Sequence, residues 1–240
     1  MLLTTSVCAQ NAADEFHDPD EMAKARAALH AGHGGQINYL VLAEQFEWLD
    51  DELGWEAQGW IGGDEHKLWL KTEGELDDET TLASAEWQAL YSRAVHSFWD
   101  VQAGLRVDPE PGPTRYFATL GVQGLAPYWF EVDAALFVND RGDVSARAEV
   151  EYEFLLTQRL ILQPKVEVDA AVDDDVATGV YSGINHVEAG LRLRYEWRRE
   201  IAPYIGILYE SAVGDARRAL RAAGENPSET VFVVGLRAWW

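Results

Sequence analysis

The chain has 240 residues, of which 48% are hydrophobic, and acidic residues outnumber basic ones 41 to 19, giving a formal net charge of −22. No apolar run approaches the ~20 residues that a transmembrane helix needs, and the negative charge repels nucleic acid and attracts cations. The length suits one large β domain or two small ones, and a single cysteine, Cys8, excludes a disulfide framework.

Residues 1–9 resemble the end of a secretory signal peptide. The stretch "MLLTTSVCAQ" places the small residues Val7 and Ala9 before a cleavage point at Gln10. We therefore expect an exported protein, with residues 1–9 as the remnant of the signal. Lipidation at Cys8 is the alternative, but the residues before it fit a lipoprotein signal poorly.

Residues 10–35 are of a different kind, because they lack any alternation of apolar and polar side chains. We predict a mobile N-terminal segment here. It contains a short helix over residues 22–30, which is broken by the glycines from Gly32 onwards.

This N-terminal segment holds four candidate metal ligands, namely His17, Met22, His30 and His33. The stretch "HAGHGG" spaces two imidazoles three residues apart, close enough to share a Cu(II) or Zn(II) ion, and a methionine thioether suits Cu(I). The alternative is that these histidines lie close together on a flexible tail by coincidence.

From residue 36 to the end, apolar and polar side chains alternate, which is typical of β-strands with one apolar and one charged face. The clearest stretch is "VSARAEVEYEFLL" at residues 144–156, where Val150 has the apolar parity and Glu151 the charged one. Most of the predicted strands reach the ~9–11 residues that a tilted membrane strand needs. About twelve strands are predicted, over residues 36–48, 54–62, 65–75, 83–94, 99–107, 115–123, 128–138, 144–156, 158–169, 187–197, 201–210 and 229–240.

The connections and the aromatic residues favour a membrane barrel. Longer polar connections tend to follow the odd-numbered predicted strands and tight turns the even-numbered ones, with the short "DDELG" as an exception. Aromatic side chains gather on the apolar parity near strand ends, as in membrane girdles. The last strand, ending in Trp240, resembles an outer-membrane insertion signal.

These features predict an all-β fold, a transmembrane antiparallel up-and-down β-barrel over residues 36–240. Both termini are placed in the periplasm, and outer-membrane lipid covers the apolar face. The alternative is a soluble β-sandwich or lipocalin-like barrel. That fold explains neither the alternation of long and short connections nor the aromatic side chains at strand ends.

In the membrane barrel, the charged parity faces a lumen whose acidic surplus attracts cations. We expect most of these charges to pair in a salt-bridge network that fills a narrow barrel. The sharper hypothesis is a cation path through the lumen. Its candidate residues are Asp100, Asp108, Glu131, Asp133, Glu149, Glu151, Glu153 and Glu188.

Catalytic signals are poor, and we expect no enzyme. The sequence has no phosphate-binding glycine loop and no zinc-finger cysteine pattern. A non-selective porin or a closed structural barrel is one alternative function. An outer-membrane hydrolase is another, in which His186 works with Asp173, Asp174 or Asp175 on an outer loop, although nothing in their spacing demands it.

Several long stretches resemble the copper resistance protein B family, and the resemblance runs from about Gln36 to Trp240. They are "GWIGGDEHKLWLKTEGE", "LYSRAVHSFWDVQAGLRVDPEPGPTRYFATLGVQGLAPYWFEVDAALFV", "LLTQRLILQP", "GLRLRYEWRREIAPYIGI" and "VGLRAWW".

This resemblance implies an outer-membrane β-barrel of Gram-negative bacteria that takes part in copper tolerance, usually beside a periplasmic multicopper oxidase. It implies copper as the bound or transported ion. Many members carry a longer N-terminal region rich in methionine and histidine. This chain keeps only His17, Met22, His30 and His33 in that region.

Overall fold

The structure is a computed structural model that describes residues 12–33, 35–49, 52–77, 81–110, 112–175 and 179–240. It contains two compact units, one up to Asn38 and one from Tyr39 to Trp240. None of the helices within the described ranges is long and apolar enough to cross a membrane.

The N-terminal unit has a 3-10 turn, Ala12–Glu15, followed by helix α1, Pro19–His33. The Asp18 carboxylate caps α1, because its Oδ1 accepts hydrogen bonds from the backbone N–H groups of Asp20 at 2.9 Å and Glu21 at 3.0 Å. The helix is therefore longer than the predicted 22–30. It also passes through Gly32, since one glycine costs a helix only about 1 kcal/mol relative to alanine.

Helix α1 contacts the 3-10 turn through a bidentate ion pair. The guanidinium of Arg26 donates hydrogen bonds to the two carboxylate oxygens of Asp14 at 2.5 and 3.0 Å. The hydrogen bond from Arg26 lowers the pKa of the Asp14 carboxyl below its usual value. This contact holds the 3-10 turn beside the helix.

The second unit is built almost entirely from β-strands that alternate in direction. They are β1 (Asn38–Leu49), β2 (Glu52–Gly62), β3 (His66–Leu76), β4 (Leu82–His96), β5 (Trp99–Glu110), β6 (Arg115–Ala126), β7 (Phe130–Asn139), β8 (Val144–Glu151), β9 (Phe154–Leu155), β10 (Leu160–Ala171), β11 (Gly183–Tyr195), β12 (Ile201–Ala212) and β13 (Ser228–Trp239).

The sheet closes into a barrel. Apart from β9, strands that follow one another along the chain are hydrogen-bonded neighbours; β10 pairs antiparallel with both β8 and β11, and β13 pairs back antiparallel with β1. The closed barrel has twelve strands, and the two-residue β9 is an extra strand beside β10. The predicted fold class, an antiparallel up-and-down barrel of about twelve strands, is confirmed.

The predicted strand over residues 144–156 is interrupted after β8, and Pro164 on β10 is the reason. β8 and β9 pair with β10 in one unbroken register, with Glu151 opposite Lys165 and Phe154 opposite Leu162. The Tyr152 N–H donates to the Pro164 carbonyl at 3.1 Å. Proline has no N–H to return the bond, so the ladder loses one hydrogen bond at this point.

The two faces of the barrel differ as the alternation predicts. Outward side chains are apolar and exposed, for example Leu70, Leu105 and Ile205. In β8, Val150 points outward and is 40% exposed, whereas the next residue, Glu151, points inward and is 8% exposed. An apolar belt on the outside and polar side chains inside are the arrangement of a transmembrane barrel.

The barrel has two unlike ends. The end with the N-terminus of β1 and the C-terminus of β13 has short connections and is termed the turn end. The opposite end, termed the loop end, has the two longest connections, residues 172–182 and 213–227. The second of these contains helix α2 (Gly214–Ala223), whose C-cap Gly224 adopts the left-handed conformation at φ 83°.

Candidate cation path in the barrel lumen

A row of acidic side chains crosses eight adjacent strands on the inner wall. Each member is directly opposite the next in the hydrogen-bonded register, and Gln123 is the one neutral member. The row, termed the acidic ladder, consists of Asp100 (β5), Gln123 (β6), Asp133 (β7), Glu149 (β8), Glu167 (β10), Glu188 (β11), Glu210 (β12) and Glu229 (β13).

The acidic ladder extends from one end of the barrel to the other. Asp100 is the second residue of β5, at the turn end, and Glu229 is the second residue of β13, at the loop end. Barrel strands tilt against the barrel axis, so a row of directly opposed residues climbs as it goes round the wall. The ladder therefore offers carboxylates at every level of the lumen.

A shorter acidic row lies on the opposite wall. Glu56 on β2 is directly opposite Glu73 on β3, which is directly opposite Glu86 on β4. Ion pairs connect the two walls across the lumen, because Lys165 on β10 reaches Glu56, and Lys71 on β3 reaches Asp133 on β7. The salt-bridge network that the sequence predicts is present, and the contacts of Lys165 and Lys71 join strands that are not neighbours in the barrel.

Several ladder carboxylates have a fixed cation beside them. Lys67 Nζ lies 3.0 Å from Asp100 Oδ2, Lys165 Nζ lies 3.0 Å from Glu149 Oε2, and Arg147 Nε lies 3.1 Å from Glu167 Oε1.

Other lumen carboxylates have no such partner. Within the described residues, Glu188 of the ladder and Glu44, Glu131 and Glu151 on the lumen wall have no ion pair within 4.0 Å. Glu131 and Glu151 are directly opposite each other on β7 and β8. Carboxylates without a fixed counter-ion are where a mobile cation gains most from binding.

The eight lumen residues predicted from the sequence divide into two groups. Asp100, Asp133, Glu149 and Glu188 are members of the acidic ladder, and the remaining four lie outside it. Among these, Asp108 is buried near the loop end against Arg106, at 2.7 Å from its Nε.

At the turn end, Glu153 accepts a hydrogen bond from Arg194 at 2.5 Å and lies 3.7 Å from Arg237. Two cations therefore already compensate this predicted residue. Glu167, Glu210 and Glu229 belong to the ladder but are absent from the predicted set. Alternation places them on the inner face, but only the register between strands aligns them in one row.

A separate buried network joins β1, β11 and β12. Arg192 donates hydrogen bonds to both Glu47 oxygens at 2.8 and 3.1 Å, and the Tyr204 hydroxyl donates to Glu47 at 2.9 Å. Tyr204 lies over Gly235, where any side chain would collide with its ring. Arg192 is 2% exposed and Glu47 3% exposed, so these charges hold the wall together and are closed to a passing ion.

The four predicted ligands of the N-terminal unit all belong to residues 12–33. His17 is exposed ahead of α1, and Met22 is half-buried on α1. His30 and His33 are in α1, but their side chains lie outside the described residues. Within the part of the chain that the structure describes, no three His, Cys, Asp or Glu side chains are grouped to hold a metal ion.

Three of the four residues of the hydrolase alternative line one vestibule at the loop end. His186, Asp173 and Asp175 line this space of about 630 Å³, together with apolar side chains of α2. In the described residues, the ion pair of His186 is with Glu210, at 4.0 Å, rather than with an aspartate. Asp175 accepts a hydrogen bond from Arg141 at 2.5 Å instead.

The family profile and the two relatives that match this chain carry the same family description. A sequence profile described as "Copper resistance protein B precursor (CopB)" matches residues 37–240. The chain is 44% identical over 215 residues to "Copper resistance protein B" of Escherichia coli, covering 88% of this chain and 72% of that protein. It is 40% identical over 225 residues to "Copper resistance protein B homolog" of Pseudomonas syringae pv. tomato, covering 90% and 76% of the two chains.

Among solved structures, a NanC porin has the same general architecture. It superposes with a TM-score of 0.53 at 13% sequence identity, covering 84% of this chain and 99% of the porin. At this identity the likeness concerns the fold alone. The shared feature is the closed antiparallel β-barrel.

Proposed function

This chain belongs to the copper resistance protein B family, and on that premise we propose that it acts in copper resistance by letting copper ions bind in, and cross through, the acidic lumen of an outer-membrane barrel. Copper is the cargo of the barrel. The proposed activity is the binding and passage of ions, without covalent chemistry.

The acidic ladder is the observation that carries this proposal. Its carboxylates follow one another from strand to strand between the two ends of the barrel. Passage requires sites that attract an ion and yet release it to the next site. Single carboxylates in series meet this requirement better than one closed cage of ligands, because each alone binds weakly.

The N-terminal unit is proposed as the place where copper is captured. His30 and His33 are three residues apart in the sequence. Imidazole suits copper, and the Met22 thioether suits Cu(I). We propose His17, Met22, His30 and His33 as the ligands.

The apolar outer face supports a location in the outer membrane, with lipid against it and the loop end outward. In this orientation the turn end and both chain termini are in the periplasm. A periplasmic multicopper oxidase of the copper-resistance system is the proposed partner there. The partner would exchange copper with the turn end of the lumen.

Copper titration of the folded, full-length protein in detergent tests the proposal, alongside a variant that lacks residues 10–35. We expect binding to weaken when the segment is removed, with a weaker set of sites remaining in the barrel. Loss of all binding would restrict copper to the N-terminal segment. No copper binding by the full-length protein would refute the proposal.

The ladder itself is tested by copper entry into lipid vesicles that contain the barrel. Glu188→Gln removes a ladder charge that has no ion pair among the described residues, and it is expected to slow copper entry several-fold. Glu65→Gln, on the exposed turn between β2 and β3, removes the same charge outside the lumen and serves as the matched control. Equal entry rates for both variants, or equal rates for copper and magnesium, would contradict a copper path along the ladder.

A further inference from the structure

Two cavities inside the barrel meet at one layer of charged side chains. The cavity toward the turn end has a volume of about 360 Å³, and the one toward the loop end about 380 Å³. Five residues line both of them. These five and Lys165 form a set termed the ion-pair layer, namely Glu56, Glu73, Glu86, Arg147, Lys165 and Glu167.

Arg147 is the centre of the ion-pair layer. From β8 its guanidinium crosses the lumen to Glu73 on β3, at 2.5 Å, and to Glu86 on β4, at 3.4 Å. On its own side, Nε lies 3.1 Å from both Glu167 and Asp169 of β10. Four carboxylates from three strands therefore surround one guanidinium, whose planar set of donors holds them in fixed directions.

Lys165 makes a second contact across the lumen at the same layer. Its Nζ lies 2.7 Å from Glu56 on β2 and 3.0 Å from Glu149 on the neighbouring strand β8. The side chain is only 5% exposed. Arg147 and Lys165 thus both project from the β8–β10 wall, and together they reach all three carboxylates of the opposite acidic row.

A mobile cation meets different conditions at this layer than elsewhere along the acidic ladder. The contacts of 2.5 to 3.4 Å leave no space for a hydrated ion between the paired groups. Each of these carboxylates is already in contact with Arg147 or Lys165, so an entering cation has to displace a tethered cation from at least one of them. The layer is therefore a steric barrier that ion pairs hold shut in an otherwise acidic lumen.

We propose that Arg147 and Lys165 close the lumen as tethered cations, and that a cation crosses only when they release the carboxylates of the opposite wall. The closure itself is independent of copper, while its part in copper passage rests on the function proposed above. Arg147 then determines which ions pass, because an incoming cation has to compete with a guanidinium for four carboxylates.

The test is the conductance of the purified full-length protein in planar lipid bilayers, with KCl as the probe salt. Arg147→Gln removes the central charge. Arg115→Gln is the matched control, since Arg115 lines only the loop-end side of the layer and lies 3.6 Å from Asp108. Heat-modifiable migration in gels establishes that each variant is a folded barrel before its conductance is compared.

We expect wild type and Arg115→Gln to conduct little. Arg147→Gln is expected to conduct about tenfold more and to prefer K⁺ over Cl⁻. A tenfold change in rate corresponds to a change of only ~1.4 kcal/mol in the barrier, and the attraction between unlike charges a few ångström apart is larger than that. Equal conductance of Arg147→Gln and Arg115→Gln would overturn the proposal. So would a wild-type barrel that already conducts as well as Arg147→Gln.

A second variant keeps the proposal testable if Arg147→Gln does not fold. Glu73→Gln leaves Arg147 in place but weakens its 2.5 Å contact across the lumen. A smaller rise in K⁺ conductance is expected, because Glu86 remains as a partner. A folded Glu73→Gln barrel with wild-type conductance would refute closure by Arg147.

Copper entry into vesicles separates the two proposals. If Arg147→Gln raises K⁺ conductance but no form of the protein admits copper, the closure stands and the copper function fails. If wild type admits copper and Arg147→Gln changes neither current nor copper entry, the copper function stands and the closure fails.

Discussion

Replacing Val150 with arginine is a quantitative test of which face of the barrel meets lipid. Val150 points outward on β8, directly opposite Val132 on β7 and Val166 on β10. Val166 lies in the middle of β10 and is directly opposite Val150, so Val150 is near mid-height on the barrel wall. Val150→Arg therefore places a guanidinium against the apolar centre of the bilayer.

The expected cost is about 2–4 kcal/mol, the range for arginine at the midplane of a membrane barrel. That is roughly a 30- to 1,000-fold change in the folding equilibrium, since each 1.4 kcal/mol is tenfold. Leu156→Arg is the control for depth. Leu156 has the same apolar parity as Val150 and is also exposed, but it follows β9 at the turn end, where the cost falls to about 0–1 kcal/mol.

Glu151→Gln is the control for the face of the strand. It changes the adjacent residue, whose carboxylate points into the lumen and has no ion pair in the described part of the chain. Removing this charge strands no cation, so we expect a loss well below that of Val150→Arg. The free energy of unfolding is measured by urea titration of the barrel in lipid vesicles. Equal losses for Val150→Arg and Glu151→Gln would show that the assignment of faces is wrong.

Two further changes test contacts within the wall by the same urea titration. Arg192→Met leaves Glu47 buried without its cation and is expected to lower the free energy of unfolding by about 3–5 kcal/mol. Adding Glu47→Gln to this variant should recover part of the loss. A loss smaller than that of an exposed ion pair would contradict the burial of this network. Pro164→Val supplies a backbone N–H at position 164 that can donate to the Tyr152 carbonyl, and it is expected to raise stability by about 0.5–1.5 kcal/mol. A new slowly exchanging amide at position 164 would establish the bond, and a fast-exchanging one would refute it.

The alternation of side chains was sufficient to predict the architecture. Twelve periodic segments and the contrast between short and long connections indicated a closed barrel, and Val150 and Glu151 point to the predicted faces. This succeeds because a strand turns alternate side chains to opposite sides, and lipid on one side selects apolar residues at every second position. The resemblance to the copper resistance protein B family is likewise confirmed by the comparisons.

Local exceptions were less predictable. The interruption after β8 follows from Pro164, which is on the partner strand, and the extra length of α1 follows from the cap at Asp18. Each depends on a backbone hydrogen bond whose partner is fixed only when the chain has folded. The periodicity of a strand predicts which way its side chains point, but it does not predict which backbone groups form hydrogen bonds with each other.

The sequence by itself thus determined the fold class, the lipid-facing and lumen-facing sets of residues and the excess of acid in the lumen. The tertiary structure alone decided which carboxylates form the acidic ladder, and that Arg147 reaches Glu73 across the lumen, 74 positions away in the chain. The physical reason is that pairing across a barrel depends on strand register and closure. Neither the register nor the closure can be predicted from the alternation of side chains within a single strand.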